Sequence, residues 1–123
     1  MCAAEAKVHC WAKMACDRPM PLIERRRVMG EQVMISHVTW SKGFSVAAHS
    51  HANEQMSLVV SGRVRFKVGP SGGEASDERV VEPGEVMHLP PHVPHSAEAL
   101  EDSVVLDVFS PPSERTGVDR AHG

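Results

Sequence analysis

An all-β fold, a single barrel or sandwich, is what the sequence predicts, and three observations carry that prediction. From about residue 22 onward the chain breaks into short apolar runs of strand length. Turn-forming residues separate them at Ser41-Lys42-Gly43, Ser61-Gly62, Gly69-Pro70-Ser71-Gly72-Gly73, Pro83-Gly84 and Pro90-Pro91. No amphipathic helix of ordinary length follows residue 20. Short strands at near-regular spacing with Gly and Pro between them are the pattern of a barrel or sandwich.

Taken in order, residues 1–20 are the least regular part. Val8, Trp11 and Ala15 fall at helical spacing, which predicts a short helix or a docking arm. The strands are expected at Gln32–Thr39, Phe44–Ala47, Met56–Val60, Val64–Val68, Glu78–Val81, Val86–Leu89 and Val104–Phe109. Gly69 to Asp77 (GPSGGEASD) reads as a flexible hairpin loop. A phosphate-cradling loop would need a helix after it, and none follows. The chain from Pro111 is polar and is expected to fray or to wrap a neighbour. The domain reading is an N-terminal arm over 1–22, one barrel over 23–112 and a polar tail over 113–123.

At 123 residues the chain has the length of one domain. A formal charge of −3 gives no reason to expect nucleic acid or a membrane as partner. The richest basic run, Arg25-Arg26-Arg27, reads as a solvated edge or an internal substrate anchor. No stretch approaches the roughly 18 apolar residues of a membrane span. The three cysteines all lie in the first 16 residues. An odd, clustered set is no disulfide framework, so a cytoplasmic location is the default expectation. Cys10 is set aside as a zinc ligand, because its spacing to other ligands is wrong.

The chemistry concentrates in two segments. The first runs Gly43, His49, His51, Gln55 and Gly62, and the second is PGEVMHLPPHVPHSA over residues 83–97. His49 and His51 share a face if that stretch is a strand, and Gln55 keeps the same parity. Glu54 is the better intrinsic ligand but has the opposite parity. In the second segment His92 follows the Pro90-Pro91 turn, His88 precedes it as a cavity-lining candidate, and His95 opens the extended segment Ser96–Leu100. Three neutral imidazoles and an amide oxygen make a site for one divalent ion, with Zn, Ni, Mn, Fe and Co all compatible. His9, His37 and His122 show no partner pattern. Asp107 and Phe109 are two residues apart, so they share a strand face, and an Asp inside the run VVLDVF is unusual for a surface strand.

These two segments resemble the two motifs of the cupin superfamily. Gly43, His49, His51 and Gly62 match the first motif, with Gln55 where Glu is usual. Pro83, Gly84, Leu89, Pro90, Pro91, Val93, Pro94 and His95 match the second, with Glu85 where Asp is usual. The resemblance covers roughly residues 24–112. It implies an all-β, single-domain cupin β-barrel (a jelly roll, or double-stranded β-helix) with a short N-terminal arm.

HSHANEQ (49–55) and LDVFSPP (106–112) narrow it further, to the small pectin-degradation cupins. That resemblance implies metal ligation by His49, His51, Gln55 and His95, and catalysis by Asp107 beside Phe109. It also implies a homodimer that linearises 4,5-unsaturated uronates. The family has Arg directly after the two prolines where this chain has Ser113. Arg115 or Arg26 is then the candidate partner for a substrate carboxylate, with His88 a further substrate contact. An amide in place of a carboxylate leaves the cation less neutralised, which favours Lewis-acid proton transfer over oxygen activation. The alternatives on the same barrel are a mononuclear metal dioxygenase or oxidoreductase, a secondary-metabolism cyclase and a non-catalytic small-molecule binder. The arm, with Trp11 and Met14, is the expected dimer contact.

Overall fold

The computed structural model describes residues 5–69 and 77–119. Among the described residues, nine strands follow a single short 3-10 turn at Trp11–Lys13. They are β1 (Ile23–Met29), β2 (Met34–Trp40), β3 (Ser45–His49), β4 (Glu54–Ser61), β5 (Val64–Val68), β6 (Asp77–Val81), β7 (Val86–Leu89), β8 (His95–Ala99) and β9 (Ser103–Ser110). A five-stranded sheet runs β1-β2-β9-β4-β7 and a four-stranded sheet runs β3-β8-β5-β6, with every pairing antiparallel. Two such sheets facing each other form the expected jelly-roll barrel.

The alternation of β2 and β9 sets the interior. Met34, Ser36, Val38 and Trp40 face inward from β2, opposite Phe109, Asp107, Val105 and Ser103 of β9. Phe44, Val46, Phe66, Ala97 and Ala99 close the core from the other side. Phe44 and Phe66 are therefore core residues, at 2% and 1% exposure. β5 and β7 fall where the apolar runs predict them, β4, β6 and β9 extend their predicted runs by a residue or two, and β2 starts two residues later and ends one later than expected.

Strand β1 (IERRRVM) is absent from the expected set, because three consecutive arginines hide its alternation. Ile23 and Arg25 nonetheless point inward and are buried. Arg25 tolerates this because two carboxylates grip its guanidinium. Its Nε and Nη2 donate to Asp17 at 3.0 and 2.6 Å, and its Nη1 and Nη2 donate to Asp119 at 2.9 and 3.0 Å. Bidentate pairs on both sides offset the cost of desolvating the charge.

The two ends of the chain pack on their own barrel. Asp17 and Arg25 exchange backbone hydrogen bonds of 2.8 and 2.9 Å. Trp11 lies over His37, with ring centroids 5.3 Å apart, and Met14 offers its carbonyl to Arg26 Nε at 3.4 Å. The polar tail departs from its expected fraying: through residue 119 it turns back on the barrel, and Val118 joins the core at 7% exposure. The loop expected over Gly69–Asp77 falls mostly outside the described residues, between the paired strands β5 and β6.

Two consequences are measurable here. Gly62 sits at φ +88°, and a Cβ there would lie 2.5 Å from the Asp102 carbonyl oxygen and 2.6 Å from Ser103 Cα. Gly62→Ala should therefore cost about 3 kcal/mol in urea unfolding, from overpacking plus left-handed strain. A loss within error of zero would contradict that crowding. The second concerns acid. Hydrogen bonding to Arg25 holds the Asp17 carboxyl below 3.8. Burial raises that of Asp119, but Arg25 and the Thr116 N–H outweigh it and leave the group lowered from 3.8. Depressed folded values mean stability that is present above the ordinary carboxylate range and lost as pH falls through the folded values. The melting-temperature gap between the parent and Asp119→Asn should thus be clear at about pH 7 and shrink toward about pH 2.

Candidate metal centre

His49 and His95 come from neighbouring strands of the four-stranded sheet and His51 from the connection that follows β3, and the route differs from a single pleated strand. His49 ends β3, past a register shift between Val46 and His49, so that both residues point inward despite their odd separation. His51 follows in the connection to β4, and Gln55 is the second residue of β4. His95 opens β8 directly opposite His49 in the ladder. The bulge re-aims His49, as bulges beside functional sites commonly do.

The imidazole centroids lie 4.3 Å (His49 to His95), 5.1 Å (His51 to His95) and 5.5 Å (His49 to His51) apart. One ring nitrogen from each lies within 4.8 Å of the others. Each Nδ1 is engaged by a backbone carbonyl two residues away. His49 donates to Ala47 at 2.8 Å, His51 to Asn53 at 3.0 Å and His95 to Val93 at 2.9 Å. Such bonds fix the tautomer and leave Nε2 as the coordinating atom of each ring.

Two observations test whether a cation fits. His95 Nε2 is buried without a hydrogen-bond partner among the described residues. His51 Nε2 stands 3.0 Å from Gln55 Oε1. With Nδ1 donating, both of those atoms are acceptors, and a cation between them satisfies what a hydrogen bond cannot. Burial, and then the neighbouring His49 and His51, pull the His95 pKa down to about 4 against the bond to Val93. The ring is therefore neutral at physiological pH, as a ligand must be. The donor set fits a divalent ion.

Gln55 also faces away from the imidazoles. Its Nε2 donates to Ser57 Oγ at 2.9 Å, and Ser57 Oγ donates to Asp107 Oδ1 at 2.5 Å. Gln55 Nε2 lies 3.5 Å from the same Asp107 oxygen, a much weaker contact. This chain orients the Gln55 amide with its oxygen toward His51. Burial pushes the Asp107 carboxyl up to about 6, opposed by the bonds from Ser57 and Gln55. Phe109, one pleat along β9, sets its ring edge-on to His51 at 5.9 Å. Gln55 is 7% exposed and turns toward His51, while Glu54 points outward to His88.

A cavity of about 40 Å³ lies beside these groups, lined by His49, Gln55, His95, Asp107, Phe109 and Trp40 on one side. Trp40 Nε1 is buried without a hydrogen-bond partner among the described residues. Thr116, Gly117 and Val118 of the folded-back tail line it too, together with Val46, Phe66 and Ala97 of the barrel. The residues expected to meet substrate lie elsewhere. His88 is on the outer face of β7, where its Nε2 is 2.6 Å from Glu54 Oε2. Arg26 alternates outward from β1, and Arg115 lines a separate groove with Cys16, Arg25 and Arg27. The pleat of β1 turns Arg25 inward and Arg26 out. Ser57, Trp40 and the 116–118 wall escaped the sequence reading. Ser57 alone had a signal, two residues beyond Gln55 on the same strand face.

No helix among the described residues is long and apolar enough to cross a membrane. Comparison with known proteins agrees with the geometry. The cupin domain profile matches residues 36–109. No curated protein sequence matches the chain. Among solved structures, KdgF from Halomonas sp. is 27% identical, with a TM-score of 0.79, and the alignment covers 89% of this chain and 97% of that one. An RmlC-like cupin from Shewanella frigidimarina is 22% identical at a TM-score of 0.79, covering 89% and 95%. A single-site variant of oxalate decarboxylase from Bacillus subtilis is 19% identical at a TM-score of 0.76, covering 92% of this chain and 33% of that one. With a profile match across most of its length, two facing antiparallel sheets and a three-histidine cluster between them, this chain belongs to the cupin domain family.

Proposed function

We propose that this cupin is a metal-dependent isomerase of small oxygenated sugars, opening and tautomerising a 4,5-unsaturated uronate around a divalent ion held by His49, His51, Gln55 and His95. The observation that carries the reading is the buried Asp107 carboxylate, joined through Ser57 to the amide that completes the ligand set. Likeness to the Halomonas KdgF, a pectin-degradation cupin, supports the substrate class.

A bound divalent cation supplies Lewis-acid polarisation of a substrate oxygen. The chain's own residues do the rest. Asp107 Oδ2 is the proton-moving atom, because Oδ1 is occupied by Ser57. Ser57 and Gln55 hold that carboxylate in one orientation. Phe109 and Trp40 give the chamber apolar walls, and the buried Trp40 Nε1–H donates to a substrate oxygen. In this reading the protein works as a homodimer in the cytoplasm.

The test is a metal analysis run beside an ultraviolet assay on an unsaturated uronate. Stoichiometric metal with metal-dependent loss of the uronate absorbance is the expected result. Stoichiometric metal with no decay, and Fe(II)-dependent oxygen uptake on another substrate, would replace isomerisation with oxidation.

A further inference from the structure

The wall formed by Thr116–Asp119 has the properties of an occupant more than of a structural element. It is a self-contained turn. Asp119 N–H donates to Thr116 O at 3.1 Å, and the Asp119 carboxylate accepts from Thr116 N–H at 2.9 Å. Among the described residues, no backbone–backbone hydrogen bond ties residues 113–119 to a strand. Its ties to the barrel are side-chain contacts: Arg25 to the Asp119 carboxylate, Arg27 Nη1 to the Glu114 carbonyl at 2.9 Å, and Val118 in the core.

The same turn separates two spaces. Thr116, Gly117 and Val118 line the metal chamber, while Asp119 lines the open groove of about 860 Å³ that also holds Arg25 and Arg27. Gly117 lies so close to the His49 ring that a Cβ there would collide with Nε2 and Cε1. With the turn in place the chamber is about 40 Å³. That is room for a few waters and far below the roughly 300 Å³ of a small-molecule site. A sugar cannot enter past it.

We infer that the Thr116–Asp119 turn is a displaceable strap standing in for the substrate, and that Arg25, once Asp119 lifts away, is the anchor for an acidic substrate's carboxylate. The strap already places a carboxylate bidentate on Arg25, while the two residues before Asp119, Gly117 and Val118, fill the space beside His49. An acidic sugar has the same layout: one carboxylate, and a compact body carrying oxygens for the metal side. Planar, two-point recognition of a carboxylate is what a guanidinium does best. Asp17 stays on the other edge of Arg25 and keeps it oriented. The substrate's identity rests on the function proposed above, whereas the strap and its anchor do not.

The experiment therefore needs neither metal nor turnover. Trp11 is replaced by Phe in every sample, leaving Trp40 as the sole tryptophan. Acrylamide quenching of Trp40 and binding of galacturonate, with neutral galactose as control, are then compared in the parent, Asp119→Ala and Val118→Ser. Both variants should raise the quenching constant about threefold or more, as a local opening does. Asp119→Ala should tighten galacturonate binding about tenfold, the size of one charge-assisted pair released from competition, and leave galactose unchanged. Parent-like quenching in both variants overturns the strap. An opened chamber with no gain for galacturonate over galactose overturns the assignment of Arg25. A strap that opens in a protein showing no uronate decay leaves this inference standing and removes the isomerase reading.

Discussion

His95→Ala yields a folded protein without stoichiometric metal. Among the described residues His95 Nε2 is a buried acceptor without a protein partner, in a residue only 3% exposed. Removing it takes away one of three imidazoles and the only ligand contributed by β8. The loss in affinity should exceed the ten- to hundredfold typical of removing an outer-sphere partner. Measured on metal-free protein, stability should fall by only about 1 kcal/mol, because the lost packing is partly compensated by deleting an unsatisfied buried polar atom. Elemental analysis beside circular dichroism reads both quantities. Metal at the parental stoichiometry in the folded variant would mean that His95 is not a ligand.

Asp107→Asn separates chemistry from binding. The amide oxygen can still accept from Ser57, so the Gln55 orientation and the metal content should persist. On the proposed isomerase reading, what disappears is the proton-moving carboxylate, and kcat on the uronate should drop about 10²–10⁴-fold. The melting temperature should hold or rise, because a neutral amide replaces a carboxylate buried at 7% exposure. A purely structural Asp107 would give the reverse pattern, with turnover kept and stability lost. Full activity in the variant on every substrate the protein turns over would remove the acid/base role.

Much of the site follows from the chain's local pattern. A period of two in VVLDVF puts Asp107 and Phe109 on one face, and both point inward in β9. Parity also selects Gln55 over Glu54, although for a different reason than a continuous strand from His49. The four ligand candidates lie on three separate strands and an open connection, and a bulge at His49 helps bring them to one side. The agreement came from the motif spacing, which encodes that bulge without displaying it.

By itself, then, the sequence determined the all-β class, most of the strand positions, the three-histidine cluster and the inward Asp107. Each of these depends on residues close in sequence or on side-chain alternation, which neighbouring residues specify. Tertiary structure alone decided that Arg25 is buried, that Arg26 and His88 face outward, and that the polar tail closes the chamber. Arg25 and Asp119 are 94 positions apart. Neither reads as an interior residue, because an arginine in a charged run and an aspartate in a polar tail each look solvated until the other arrives. Burial of a charge becomes favourable only through its partner, and pairing across that distance is set by the barrel's topology and not by local pattern.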